Sequence, residues 1–471
     1  MSVLFEVFGG GDRIGGSSYR YNRKVVVDHG IIQGEGKYPK YPMMPEGECP
    51  VFLLSHDHLD HCGGVAAFGK RHPEARFFMP KVSRRGLEIQ LNDALNISAQ
   101  QADIDTLKGQ KPVPLPFDEE DVASVIARIK RDTSGKNVVT DKRLFTFESL
   151  PGFSLRAVSA GHKPGAAIFL MKFADGARWI HACDFSLEDH ALTLGANIPP
   201  EFYNPDGMTI ECTYGSLARD PLPDRKTEEA RIMSEMERVF RRGGKVLVPW
   251  FASTLQNMAI PCAKAGMQTY VDGKSTQLFT ENYMLSSPWC ENDRPFRIQD
   301  LPTMFGVRDR AHRDELIAQE SSFVVCSSSG MLEGGPSVRW LEHLIGDHKN
   351  AIIVPGYQAP GTRGRALMAL ERGQDFEIVE ERVGTDRHTE KKFLRPKRTT
   401  RFKIYADVIG AKLSGHSDGR VVAPWVAKIN PKVVVTVHGE PEAHEGMARL
   451  IRGLNPNIRV ISGVNGAQIE V

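Results

Sequence analysis

Short apolar runs alternate along this chain with longer amphipathic stretches, a pattern that predicts β-strands interleaved with α-helices. A glycine-rich turn, Gly9-Gly10-Gly11-Asp12-Arg13-Ile14-Gly15-Gly16, leads into an apolar strand over Arg23–Val27, and Asp28 stands where that strand ends. In a dinucleotide site such a turn opens a helix instead, so that chemistry is not predicted. Val51-Phe52-Leu53-Leu54 reads as a buried strand, and Gly63 to Phe68 as the start of a helix. Farther on, Glu228–Arg242 sets Ile232, Met233, Met236, Val239 and Phe240 on one helical face, and Gly243-Gly244 stops it. Lys245–Val248 follows as a strand, and alternation continues to Val379. A hydrophilic stretch then precedes a strand-like segment over Phe402–Ile409.

The character of the chain changes twice. Near 215 it becomes rich in proline and charge, over Arg219–Arg225, and it turns hydrophilic again before Phe402. With 471 residues the chain exceeds one ordinary core. The transitions predict a first domain in two parts, 1–214 and 396–471, split by an inserted α/β domain over 215–395. No apolar run approaches the roughly 18–20 residues that span a membrane, and the N-terminus lacks the features of a signal peptide. Seven scattered cysteines, without a Cys-x-x-Cys pair, read as reduced thiols of a cytoplasmic protein. A net charge of +2 leaves partners open, because a local basic groove binds polyanions on a near-neutral protein.

The densest chemistry lies in His56-Asp57-His58-Leu59-Asp60-His61, three histidines and two aspartates in six positions between a strand and a helix. Imidazoles and carboxylates are the ligands that borderline divalent metals prefer. More such residues recur at the ends of strand-like runs: His162 after Ser159-Ala160-Gly161, Asp184 after Trp179 to Cys183, and His438 after Val433 to Val437. A lone histidine at a strand end is usually structural. Together these residues complete a stoichiometry: His56, His58 and His162 for one metal, Asp60, His61 and His438 for another, and Asp184 as bridge. Such a site leaves a coordination position for water, as hydrolysis requires.

With these ligands, and with Ile210-Glu211-Cys212-Thr213-Tyr214-Gly215, Ser329-Gly330-Met331-Leu332-Glu333-Gly334-Gly335-Pro336, Pro355-Gly356-Tyr357-Gln358-Ala359-Pro360-Gly361-Thr362, Leu413-Ser414-Gly415-His416-Ser417-Asp418 and Val437-His438-Gly439-Glu440-Pro441, the chain resembles the metallo-β-lactamase superfamily. The order of these motifs points more narrowly to its β-CASP branch of RNA-processing nucleases. The resemblance implies an αββα sandwich with an inserted β-CASP domain. It also implies a metal-dependent ribonuclease that hydrolyses phosphodiester bonds, endo or 5′-exo, with a hydroxide activated by two zinc ions, manganese being the alternative metal. By the same resemblance Asp28 orients the metal loop, Glu211 is the branch's acidic residue, and His416 faces the scissile phosphate. The candidate catalytic residues are Asp57, from the metal loop itself, with Asp184, Glu211 and His416. A histidine at position 438 favours RNA over DNA within the branch.

Substrate contacts are the softer part of the reading. Ser327, Ser328, Ser329 and Gly330 offer hydroxyls and amides suited to phosphate, and equally suit an ordinary strand-to-helix turn. Between Arg387 and Lys403, the residues Lys391, Lys392, Arg395, Lys397 and Arg398 form a basic run that fits a phosphate backbone or a solvated hairpin. The chain departs from the family pattern at Ser253-Thr254-Leu255 and at Gly273-Lys274-Ser275-Thr276, both inside the inserted domain. The expected partners are single-stranded RNA, a second copy in a homodimer, and RNA-processing proteins, with no membrane. The competing readings are a DNA nuclease of the branch, a small-molecule hydrolase of lactonase or thioesterase type, and a non-catalytic RNA-processing scaffold. The inserted-domain motifs argue against the second, and the complete ligand set against the third.

Overall fold

Along Ser154–Ser159 the buried positions Leu155, Ala157 and Ser159 alternate with half-exposed ones, the mark of a strand with one face against a core. Val433–Val437 is buried at every position, as a strand covered on both faces must be. The computed structural model describes residues 2–471 except 33–36, 133–138, 286–289, 291–292, 357, 360, 382 and 387–388. Tyr357, Pro360 and Arg387 therefore lie outside the described residues.

Two sheets form a sandwich. The first has the spatial order 468–470, 4–9, 18–21, 25–27, 51–53, 76–78, and the second 459–462, 433–437, 207–211, 178–182, 167–172, 154–159, 145–146. Their inner faces share one core in which the Phe5 and Trp179 rings stack at 6.0 Å and the Tyr21 hydroxyl lies 2.9 Å from Thr209 Oγ1. Burying each such side chain contributes about 1.5–3 kcal/mol. Helices Val65–Arg71, Lys81–Leu107 and Glu119–Asp132 cover the outer face of the first sheet, and Gly419–Ile429 with Pro441–Leu454 cover that of the second. This is the expected αββα sandwich. Near the turn after Ser18–Tyr21, Asn22 and Arg23 take positive φ of 47° and 57°, so the strand expected from Arg23 begins at Val25.

The inserted part is a six-stranded, wholly parallel sheet in the order 304–306, 269–272, 324–327, 246–249, 351–355, 407–411, so its last strand lies beyond the boundary expected at 395 and the sandwich is rejoined only after it. Helices Arg225–Arg241, Gln256–Lys264 and Lys274–Leu285 pack on one face, and Arg310–Ala318, Gly335–Leu344 and Arg363–Met368 on the other. The helix expected over Glu228–Arg242 starts earlier, because Asp224 accepts the Thr227 N–H as its cap. It ends as expected, the Gly243 and Gly244 amides closing on Phe240 and Val239 carbonyls. The segment expected as one strand over Phe402–Ile409 is two. Tyr405 and Ala406 both donate to the Ile345 carbonyl, which breaks the chain between the strand Arg398–Lys403, paired with Asp375–Glu380, and Asp407–Ala411. All seven cysteines are buried and free of disulfides. Among the described residues no helix is long and apolar enough to cross a membrane.

Candidate metal centre

The C-terminal ends of the inner strands meet at one edge of the sandwich, and the chemistry collects there. Asp28 follows the strand Val25–Val27, the loop Ser55–His61 follows Val51–Leu53, Asp184 follows Arg178–Ala182, and His438 follows Val433–Val437. Asp28, Asp184 and His438 all hold left-handed backbone, with φ of 62°, 46° and 56°. That conformation is costly for residues with a Cβ and clusters at functional sites. It turns each chain sharply at its strand end; Asp184 and His438 reach one cluster, and Asp28 stands behind it against Ser55 and His61.

Two groups of ligand atoms converge at this edge: His56, His58, His162 and Asp184, and Asp60, His61, Asp184 and His438, each with its atoms within 4.8 Å of one another. In the first, His58 Nδ1 lies 3.1 Å from His56 Nε2 and 3.0 Å from His162 Nε2. Asp184 Oδ2 is 3.5 Å from His56 Nε2 and 3.3 Å from His61 Nε2, so one carboxylate touches both groups. His438 Nε2 lies 3.3 Å from Asp60 Oδ2. The residues fit a metal on their own evidence. Asp184 Oδ1 is buried without a hydrogen bond, and three imidazole nitrogens meet where one proton cannot satisfy them all. The nitrogen and oxygen donor set is that of zinc or manganese. Burial pushes His56 and His58 well below the ordinary imidazole pKa and His162 down to about 4, which leaves their lone pairs free for a cation.

A second layer of hydrogen bonds orients these side chains. Asp28 accepts from Ser55 N at 2.7 Å, from Ser55 Oγ at 2.6 Å and from His61 Nδ1 at 2.8 Å. His162 Nδ1 donates to the Gly415 carbonyl at 2.7 Å, which leaves Nε2 to the cluster. Beside the ligands, Glu211 Oε1 accepts from His416 Nδ1 at 2.8 Å, and His416 Nε2 lies 4.0 Å from Asp184 Oδ2. Burial disfavours the charged imidazole of His416, but the Glu211 and Asp184 carboxylates outweigh it and raise its pKa to about 9. Thr213 N also donates to Glu211, at 2.9 Å, which fixes the carboxylate.

Asp57 stands outside both groups. Its carboxylate turns away from the cluster and pairs with Lys163 Nζ at 2.7 Å. The serine segment is occupied with its own turn: Ser327 Oγ donates to the Asp272 carbonyl, Ser329 Oγ accepts from Glu333 N, and the Gly330 carbonyl accepts from Gln358. The Ser328 carbonyl accepts from Ser337 N, at the first turn of a helix. In the basic run, Lys392 pairs with Asp103 at 2.6 Å, and Arg398 faces Glu380 across the sheet. Lys391, Arg395 and Lys397 are exposed on the same hairpin region. Sequence reasoning missed Lys163 and also Arg225, whose buried guanidinium donates to the Ser414 carbonyl at 2.9 Å and so holds the loop carrying His416. The signal for Lys163 was its place directly after His162; for Arg225 there was none.

Two family models match the chain, "Beta-Casp domain" over residues 254–367 and "Zn-dependent metallo-hydrolase RNA specificity domain" over 402–461. The chain is 25% identical over 426 residues to "Probable RNase MJ4" of Methanocaldococcus jannaschii, covering 88% of each protein. It is 26% identical over 475 residues to "Transcription termination factor FttA" of the same organism, covering 95% of this chain and 68% of that one. It is also 26% identical over 489 residues to "RNase aCSPSF2" of Saccharolobus solfataricus, covering 100% of this chain and 86% of that one.

Proposed function

The chain belongs to the β-CASP branch of the metallo-β-lactamase hydrolases, and from that premise we propose that it is a ribonuclease that cuts single-stranded RNA with two zinc ions. The observation that carries this reading is the pair of ligand groups sharing Asp184, with the His416–Glu211 pair beside them. Relatives named as RNases support RNA as the polymer. His56, His58, His162 and Asp184 would hold one ion, and Asp60, His61, His438 and Asp184 the other. Ions bound there supply Lewis-acid charge and lower the pKa of water toward about 7.

The remaining work falls to the chain. Asp184 ties the two ligand groups through one carboxylate. Glu211 accepts a hydrogen bond from the His416 Nδ1–H, so the other N–H of the imidazolium is at Nε2, on the side of the cluster. That N–H stabilises charge on a phosphoryl oxygen, or passes its proton to the leaving oxygen as the P–O bond breaks. The test is cleavage of 5′-labelled single-stranded RNA and matching DNA, wild type beside Asp184→Asn, with and without added zinc or manganese. Metal-dependent RNA cleavage that disappears in Asp184→Asn is the expected result, and the product ladder separates endo from 5′-exo action. An Asp184→Asn protein with wild-type activity overturns the assignment.

A further inference from the structure

Asp57 and Lys163 form a buried ion pair in a place that gives it a particular consequence. Asp57 lies between His56 and His58, and Lys163 follows His162, so the pair joins the two loops that carry the three histidines of the first ligand group. Both side chains are fully buried, and their 2.7 Å contact is unscreened by water. The surroundings are built around it. A Cβ on Gly86, in the helix Lys81–Leu107, would stand 1.5 Å from Asp57 Oδ2, so glycine is what lets the carboxylate fit. Gln90 of the same helix donates to the Asp57 carbonyl at 3.1 Å, and Ser83 donates to the Gly165 carbonyl at 2.7 Å. From the inserted part, the ring of Phe279 covers Lys163 Nζ, 5.1 Å from its centroid. One helix of the sandwich and one of the insertion thus seal the pair from solvent.

A pair this deep is weak evidence for stability, because desolvation offsets most of its attraction. What it supplies is geometry: among the described residues Lys163 Nζ is the cation paired with the Asp57 carboxylate, through Oδ1. We propose that Asp57 and Lys163 are positioning residues, a buried clamp that holds the His56–His58 loop against the His162 loop and so preassembles the first ligand group but not the second. This rests on the metal reading of the site above. The clamp makes a selective demand. Asp60, His61 and His438 are not joined by it, so its loss should separate the two affinities.

The test is titration of the metal-stripped full chain with cobalt(II), read by its visible absorption, together with zinc competition against a chromophoric chelator. Wild type is compared with Asp57→Asn, Lys163→Met and the double variant. Wild type is expected to take up two equivalents. Each variant should lose about ten- to hundredfold in affinity for one equivalent, the loss typical of removing a partner that orients ligands, while the other equivalent is unchanged. Lys163→Met alone strands a buried carboxylate and lowers the melting temperature, and the double variant, with no charge left to strand, recovers it. A double variant that melts like wild type yet still binds one equivalent weakly separates positioning from mere stability. A double variant with both affinities intact overturns the clamp and leaves the metal reading standing. Fewer than two equivalents in wild type overturns the metal reading and the clamp with it.

Discussion

On the two-ion reading proposed above, Asp28→Asn changes one atom of a buried carboxylate and should loosen one metal more than the other. Asp28 Oδ1 accepts from Ser55 N at 2.7 Å, whereas Oδ2 accepts from both Ser55 Oγ at 2.6 Å and His61 Nδ1 at 2.8 Å. An amide keeps one acceptor and turns the other into a donor. With its oxygen toward the Ser55 amide, its NH2 meets the Ser55 hydroxyl and the His61 ring. The hydroxyl can rotate and accept. The imidazole can accept at Nδ1 only by moving its proton to Nε2, the nitrogen 3.3 Å from Asp184 Oδ2 that must offer a lone pair to a cation. Binding metal then costs the protein an unsatisfied buried donor, about 1–3 kcal/mol. That corresponds to roughly a ten- to hundredfold loss of affinity at the group containing His61. The same chelator competition reads it, with urea unfolding of the metal-free protein as a control for global damage. Two wild-type affinities in a folded Asp28→Asn protein would refute the tautomer argument. A loss confined to the group with His56, His58 and His162 would refute it equally.

Three further outcomes are expected. His416→Gln should retain both metals by elemental analysis but lower RNA turnover by about a hundredfold or more, the usual worth of a positioned proton donor; full turnover would remove His416 from the mechanism. His29 is fully buried with its Nε2 unpartnered, and burial, helped by the charge of His72, lowers its pKa to about 3. Its unfolded value is about 6.5, so as pH falls below that the unfolded chain takes a proton the folded chain refuses, and stability is lost between 6.5 and about 3. Urea unfolding of metal-free protein should therefore show wild type losing about 2 kcal/mol more than His29→Gln between pH 7.5 and pH 5; parallel pH profiles would contradict this. Finally, a Cβ on Gly207 would lie 2.2 Å from the buried Trp179 ring, so Gly207→Ala should lower the denaturation midpoint by an amount worth about 1–3 kcal/mol, and an unshifted midpoint would show that the sandwich core yields there.

Much of the architecture was legible because it rests on local rules. Burial of whole strands such as Val433–Val437, and the apolar face of Arg225–Arg241, follow from side-chain periodicity. The residues that converge were legible for the same reason: a loop as dense in histidine and aspartate as His56–His61 has few other uses, and strand ends are where such residues can meet. Of the departures, the early start of Arg225–Arg241 and the late start of Val25–Val27 had local causes, a cap and a turn, whereas the split of Phe402–Ile409 was decided by a distant carbonyl. Nothing near Tyr405 announces that Ile345 will accept two amides there and split one strand into two.

The sequence by itself determined the composition of the site, the kinds of atoms it could offer and the succession of strands and helices that would carry them. Only the tertiary structure decided which of those atoms face the cluster. Asp57 and Asp60 stand three positions apart in one loop, yet one is buried against Lys163 and the other lies 3.3 Å from His438. The difference is set by neighbours from far along the chain: Gly86, which leaves room for the first carboxylate, and the left-handed turn at His438, which brings its ring to the second. Side-chain direction in a loop is a property of what packs against it, and that is written in no local pattern.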